Sequence, residues 1–250
     1  MMVRDQLNSF DNYLDIENRN REYVQKDLMV IAEREADERA GVQSYPRDNM
    51  SIVSDLYQQL AECQFNIISC EYSKGNGLDA SFLDDYLIAV SYMQRGWQAQ
   101  YGYIQMVWML SIGIMLEVDD VEFNKLALLV KQQQLQDSLV DFLIRSRNPG
   151  WEQRTQDFLM PRPYSNIREV VTLAALDKLA AVQRLERYLT QQWYADHQET
   201  GWYNAHESKE NVHVGYWSFE SGALVKILEL DDLILKDVPY YPYDMVRGLQ

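Results

Sequence analysis

The sequence predicts an all-α protein, a bundle-like body of about eight to ten helices with no significant sheet. Along most of the chain, apolar residues recur every three or four positions, which places them on one face of a helix. No segment shows the sustained alternation of apolar and polar residues that is typical of a half-buried strand. Hydrophobic residues make up 47% of the 250 positions, which is enough for a substantial core.

The clearest helical pattern in the first half begins near Asn49 or Ser51, either of which can cap it. Its apolar face consists of Ile52, Leu56, Leu60, Cys63, Ile67 and Cys70. The pattern ends at SKGNG (73–77), where Gly75 or Gly77 can adopt the left-handed conformation that ends many helices. The two cysteines would lie about 10 Å apart along this helix. That separation is too large for a disulfide, so both are expected to be thiols of the core.

Two further helices are predicted before residue 118. Asp79 or Ser81 is expected to cap the first, whose apolar face consists of Phe82, Tyr86, Ala89 or Val90, Met93 and Trp97. Residues 103–116 form the longest apolar run and predict a helix that is apolar on most sides, and therefore central. This run is too short to span a bilayer. Core packing and an interface are both compatible with the aromatic residues gathered here, which are Trp97, Tyr101, Tyr103 and Trp108.

An acidic break follows the apolar run and consists of Glu117, Asp119, Asp120 and Glu122. It is expected to open the next helix, because acids in a first turn complement the positive end of the helix dipole. The apolar face of that helix consists of Phe123, Leu126, Ala127 and Val130. The break divides the chain into an N-terminal helical region, 1–118, and a C-terminal helical region, 119–250. The two regions are expected to pack as one globular unit.

The C-terminal region contains one expected interruption. A short helix fits 136–145, and the following stretch, 147–165, holds three of the six prolines, which favours a boundary or a long connection. The helical pattern then resumes as one long helix, or as two with a bend near Asp177. Residues 196–213 are polar and predict a loop with room for one helical turn.

The stretch GYWSFESGALVKILELDD (215–232) raises the question of a catalytic serine. A hydrolase elbow needs the pattern G-x-S-x-G between a strand and a helix. Gly215 lies three positions before Ser218, and Phe219 occupies the position that the first glycine before Ser221 requires. The motif is therefore absent. Ser218 is expected to cap the last helix with its hydroxyl accepting from a backbone N–H, and Trp217 and Phe219 are expected to enter the core.

The charge is the most informative bulk property. The chain has 23 basic and 38 acidic residues, a formal net charge of −15, with no long run of one sign. Such a surface repels phosphate backbones, so direct nucleic-acid binding is not expected, and it attracts a basic protein. The first 20 residues contain no apolar leader segment, and no membrane segment is expected. Together with the free thiols, these features predict a cytoplasmic protein.

The remaining motifs do not indicate an enzyme. His197, His206 and His213 lack the H-E-x-x-H spacing of a metal site, and the favoured interpretation is a polar loop. Neighbouring acids on a helix point about 100° apart, so the pairs at 84–85 and 119–120 do not converge on a substrate. No phosphate-binding glycine loop is present. No cofactor is expected.

The stretch 215–232 and the following LKDVPYYPYDMV (235–246) resemble the C-terminal signature of the PoNi-type immunity proteins. The similarity continues in looser form upstream, in LAALDKLAAVQRLERYLTQQWY (173–194), LSIGIMLEVDDVEFNKL (110–126) and YSKGNGLDASFLDDYLIAV (72–90). The first forty residues add little to it. PoNi-type proteins neutralise PoNe-type DNase toxins, which type VI secretion and related systems deliver into neighbouring bacterial cells.

The resemblance implies an all-helical cytoplasmic protein that binds a cognate nuclease and has no chemistry of its own. The signature itself is expected to be structural. Charge alone selects the candidate contact residues, which are Asp84, Asp85, Glu117, Asp119, Asp120 and Glu122. Two other hypotheses stay open, a metal-dependent hydrolase using His197, His206 and His213, and an acidic helical adaptor for another basic protein. A homodimer is also compatible with the sequence.

Overall fold

The computed structural model of the chain describes residues 3–249, and it contains no strand over that range. In chain order the helices are α1 (Phe10–Ala40), α2 (Asn49–Ser73), α3 (Ala80–Gly96), α4 (Ala99–Met115), α5 (Asp120–Gln132), α6 (Ser138–Arg147), α7 (Pro161–Ala174), α8 (Lys178–Tyr188), α9 (Tyr194–Asp196), α10 (Phe219–Leu228) and α11 (Tyr243–Val246). A π-helical turn, Leu189–Trp193, joins α8 to α9, and two 3₁₀ turns cover Ala205–Glu207 and Leu233–Leu235. The all-α prediction is confirmed.

The chain forms two compact units. The first consists of residues 1–105 and 208–215, and the second consists of residues 106–207 and 216–250. A division after residue 118 stays a prediction. Within the described range 3–249, no helix combines the length and the apolar character that a bilayer span requires.

The first unit is built on α1, α2 and α3. Asn20 of α1 bonds to Asn66 of α2, and Glu38 near the end of α1 bonds to Asn49 at the start of α2, so these two helices run antiparallel. Their shared core consists of Val24, Ile31, Val53, Tyr57, Leu60, Cys63 and Ile67. Both cysteines are buried free thiols, as predicted. Helix α3 approaches α2 closely at Gly96, where a Cβ would lie 2.4 Å from the Ser54 carbonyl oxygen.

Asp residues cap α2 and α3 of the first unit. The Asp79 side chain accepts hydrogen bonds from the Ser81 and Phe82 backbone N–H groups and caps α3, so Asp79 is the correct one of the two predicted caps, Asp79 or Ser81. The cap of α2 is Asp48, which accepts from the Ser51 backbone N–H at 2.9 Å, so the prediction of Asn49 or Ser51 is wrong. The Asn49 side chain instead donates to the Val42 carbonyl. The end of α2 is followed by Gly75 at φ 88°, in the left-handed conformation that was expected.

The second unit contains the predicted interruption in a shorter form. Helix α6 ends at Arg147, and the next helix begins at Pro161, inside the stretch 147–165 that was expected to connect. Proline suits the first turn of a helix because the N–H it lacks would have no partner there. The two-helix alternative is the correct one, because Asp177 accepts from the backbone N–H groups of Leu179 and Ala180 and starts α8.

Candidate functional site

The acidic break predicted before α5 is an exposed turn. Asp119 caps α5 by accepting from the Glu122 backbone N–H at 2.9 Å, and Asp120 lies in the first turn. Glu117 precedes them at φ 53° with a side chain that is 73% exposed. These residues form a real acidic edge of the second unit. Its position at a helix N-terminus has a local explanation in the helix dipole.

Each acid of this edge already has an intramolecular partner. Glu117 pairs with Lys226 at 3.0 Å, and Asp120 pairs with Arg147 at 2.6 Å. Glu122 pairs with Lys125 at 2.5 Å. Exposed pairs of this kind contribute about 0–1 kcal/mol to stability. They also reduce the local negative potential that a basic protein would meet.

The other predicted pair of acids has split roles. Asp84 is exposed on α3, whereas Asp85 is buried and accepts from the Gln64 side chain at 2.6 Å. The Arg21 guanidinium lies 3.0 Å from Asp85, 3.0 Å from Glu17 and 2.9 Å from Glu71. Asp85 therefore belongs to an ionic cluster inside the first unit, and only Asp84 of the pair presents its charge to solvent.

The ionic cluster shows the electrostatic cost of burial. Burial raises the pKa of Glu71 to about 7, and the charges of Asp85 and Glu17 add to this effect. Burial alone would lower the pKa of Arg21, but its bonds to Asp85 and Glu17 raise it overall. Lys74 pairs with Glu17 and supplies a second positive charge. The cluster joins all three helices of the first unit, which is a structural role that the sequence did not reveal.

The signature stretch is buried in the second unit. Ser218, Glu220 and Ser221 are each 0% exposed, and Trp217 and Phe219 are buried as predicted. Ser218 occupies the cap position of α10, but its hydroxyl makes no bond to the backbone of the helix. It donates instead to Glu220 Oε1 at 2.7 Å and contacts the Ser221 hydroxyl at 2.6 Å. The predicted capping role of the hydroxyl is therefore wrong, because Oγ is directed at the Glu220 and Ser221 side chains and accepts from no backbone N–H of α10.

Glu220 is the central polar group of the signature. Its Oε1 also accepts from the Trp193 indole N–H at 2.6 Å. Burial raises its pKa to about 7, and the bonds from Ser218 and Trp193 offset part of this rise. The C-terminal tail closes over the segment, since the Ser218 backbone N–H donates to the Tyr240 carbonyl at 2.8 Å. A serine and a carboxylate so enclosed hold a core together and do not offer a surface to a substrate.

The loop with one helical turn predicted for residues 196–213 is confirmed, with the turn at Ala205–Glu207, but two of its three histidines are buried. His197 is 0% exposed, donates from Nδ1 to the Trp193 carbonyl and faces the Tyr164 hydroxyl; burial lowers its pKa to about 4. His213 is buried against Asp5 at 2.8 Å, and half-buried His206 contacts the Tyr216 hydroxyl at 2.9 Å. Between residues 3 and 249, no group of His, Cys, Asp and Glu has the arrangement of a metal site. Packing against aromatic side chains buries the His197 ring, and the local sequence does not reveal these contacts.

The outer face of α1 is the feature that the sequence analysis missed. Tyr23, Asp27 and Val30 share one face of this helix, and the two apolar side chains are 48% and 40% exposed. Tyr23 and Val30 are visible in the sequence as apolar residues at helical spacing, next to the buried stripe of α1. Charged residues on all sides of α1 hide this face from a search for apolar periodicity.

Comparison with known proteins defines the class. A model of the N-terminal region of PoNe immunity proteins (PoNi) matches residues 4–128, and a model of their C-terminal region matches residues 135–245. The protein is thus of the immunity class, an all-helical chain whose counterpart is a toxin. It belongs to the PoNi family of PoNe immunity proteins.

One solved structure supports the fold. The chain is similar to the crystal structure of protein PA2201 from Pseudomonas aeruginosa, with a TM-score of 0.64 and 16% identity. The similarity covers 99% of this chain and 98% of that one, and it shows a shared fold. No curated protein matches the chain significantly.

Proposed function

We propose that this protein is the antidote to one secreted DNase toxin, which it binds and blocks by complementarity of an acidic surface to a basic one. The observation that carries the proposal is membership in the PoNi family over both halves of the chain. The net charge of −15 supports the binding mode. A nuclease needs a basic surface to hold phosphates, and an acidic protein can occupy that surface.

The proposed action requires binding alone. The toxin would arrive in the cytoplasm by type VI secretion from a neighbouring cell, so the antidote would act there, before DNA is cut. Charges at the edge of the contact would mainly raise the association rate, and buried pairs would slow dissociation. The buried positions of Ser218, Ser221, His197 and His213 fit a protein without catalysis.

The candidate contact residues from charge are now ranked by exposure. Asp84, Glu117, Asp119 and Asp120 present exposed side chains, and Glu122 is half-buried. Asp85 is committed to Arg21 and Gln64, so we place it in the scaffold that supports the surface. An acidic adaptor for another basic protein would use the same surfaces, and the identity of the bound protein distinguishes the two functions.

Co-expression tests the proposed function. The toxin encoded beside this chain, reduced to its nuclease domain, is induced in cells with and without the chain. Survival and intact chromosomal DNA are expected only when the chain is present, together with a complex that co-purifies. Undiminished killing with a folded, well-expressed chain and no complex would remove the proposal. A complex with a different basic protein would support the adaptor instead.

The acidic-surface mechanism has its own test in the salt dependence of binding. The association rate with the nuclease domain is expected to fall steeply between 50 and 500 mM salt, as it does for electrostatically steered pairs. An association rate that is independent of salt would refute charge complementarity and leave the immunity function standing.

A further inference from the structure

We propose that the basic toxin docks on the outer face of α1, where Asp27 receives an arginine or lysine side chain between Tyr23 and Val30. This inference rests on the proposed function and names the surface that performs it. The surface is called the α1 face below and consists of Tyr23, Asp27 and Val30. All three lie in the first unit, within one helix.

The α1 face has the composition of an interface. Tyr23, Asp27 and Val30 follow each other at intervals of four and three residues, so their side chains share one side of the helix. Tyrosine is enriched at interfaces, where it often supplies much of the binding energy. The adjoining side of α1 packs against α2 through Val24 and Ile31.

Asp27 is the distinctive group of the face. One of its carboxylate oxygens, Oδ2, is enclosed, and no hydrogen-bond donor reaches it from any residue between 3 and 249. The carboxyl is partly withdrawn from water, and burial raises its pKa. An enclosed acceptor without a donor costs free energy. The enclosed oxygen is closed to an external donor, so a cation from a partner would bind the other oxygen, Oδ1, where the partly desolvated site strengthens the attraction.

The surrounding charges leave the α1 face negative. Asp27 and Glu62 of α2 both lie near the Cys63 thiol, and their charges add to the effect of burial in raising its pKa. Lys26 lies over the Tyr23 ring at 5.7 Å and reaches Glu22 only at 4.0 Å. Helix α1 as a whole contains nine acidic and five basic residues. A basic partner fits this surface.

The comparison with the acidic edge before α5 decides between the two surfaces. At that edge Glu117, Asp120 and Glu122 all have intramolecular cations within 3.0 Å. A toxin that docked there would first have to displace those cations. Asp27 has no ion pair within the described chain, and it is flanked by apolar side chains that exclude water around a new bond.

Affinity measurements with matched variants test the inference. The purified nuclease domain of the neighbouring toxin, in a catalytically inactive form, is titrated with wild type and with Tyr23→Ala, Asp27→Asn, Tyr101→Ala and Glu152→Gln. The first two variants are expected to raise Kd at least tenfold each. Tyr101 is 71% exposed elsewhere in the first unit and Glu152 is exposed in the second unit, so their variants are expected to change Kd less than threefold.

A stability readout separates docking from a structural role. Asp27→Asn removes a charge that has no partner, so its midpoint of chemical unfolding is expected to stay within error of wild type or to rise. Weaker binding together with unchanged stability supports the inference. Unchanged affinity in both α1 variants, with tight wild-type binding, overturns the inference and leaves the proposed function intact.

Two further outcomes are distinguishable. No binding and no protection by wild type would remove the proposed function itself. A dimer of this chain in solution that Tyr23→Ala dissociates would assign the α1 face to a second copy, and it would overturn the inference.

Discussion

The pH dependence of Glu220→Gln examines the buried signature directly. Glu220 is 0% exposed, and its carboxyl pKa is raised from 4.5 to about 7 by burial. The folded protein therefore holds this proton more tightly than the unfolded chain does. The stability that the neutral form contributes is present at low pH and is lost as the pH rises through 7. Glutamine keeps an oxygen that can accept from Trp193 and Ser218 but cannot ionise.

The magnitude follows from the two pKa values. Relative to a neutral group, the ionisation penalty of Glu220 is below about 1 kcal/mol at pH 5 and about 3 kcal/mol at pH 8. The difference in unfolding free energy between wild type and Glu220→Gln should therefore shift by about 2–3 kcal/mol over this range, against wild type at high pH. His197 titrates in the opposite sense, because its lowered pKa removes stability below about pH 6.5. It is present in both proteins and cancels in the difference.

Urea unfolding at pH 5, 6, 7 and 8 measures this shift. Glu229→Gln is the matched control, because the Glu229 side chain is 85% exposed, and its difference from wild type is expected to be the same at every pH. Curves for wild type and Glu220→Gln that stay parallel within about 0.5 kcal/mol would refute the assignment of Glu220 as a carboxyl protonated near neutral pH.

Three other predictions concern the first unit. Gly96→Ala is expected to lower the unfolding free energy by about 2 kcal/mol, because the new Cβ would lie 2.4–2.6 Å from atoms of α2. Gly77→Ala is the control and should change the unfolding free energy by less than about 1 kcal/mol, because its Cβ would have nothing within 4 Å. Equal denaturation midpoints for the two variants would contradict the close contact between α3 and α2. Arg21→Ala leaves three carboxylates without this counter-ion and is expected to cost about 2–3 kcal/mol in the same assay, less than for a fully buried pair because the Arg21 side chain is 42% exposed. A loss below about 1 kcal/mol would show that the cluster is well solvated. Cys63 and Cys70 should react with a thiol reagent only on unfolding, because burial raises both pKa values, that of Cys63 to about 11, and rapid native labelling would refute their burial.

The sequence predicted the fold because its signals are local. The spacing of apolar residues identified the helices, and short acidic side chains identified ends such as Asp79, Asp119 and Asp177. A cap bonds within three residues of itself, so the chain need not be folded for the pattern to be visible. The choice between one helix and two at Asp177 was left open because apolar spacing continues across a short break.

The site was less predictable because its features depend on distant contacts. Asp84 and Asp85 are equivalent in sequence, and only the approach of Arg21 across 64 residues separates a scaffold acid from a surface acid. His197 lies in a polar stretch, yet its ring packs 4.8 Å from that of Trp193 and 5.0 Å from that of Trp202. The enclosure of Asp27 Oδ2 and its lack of a hydrogen-bond donor depend on the packing of other residues around it, so the sequence of α1 alone does not predict them.

The central claim is that this chain binds and blocks a DNase, and cleavage of DNA by the purified nuclease domain of the neighbouring toxin tests it most directly. The account predicts that cleavage stops when the chain reaches an equimolar amount, with a sharp endpoint at nuclease concentrations above Kd. Full nuclease activity in the presence of a tenfold excess of folded chain would contradict it.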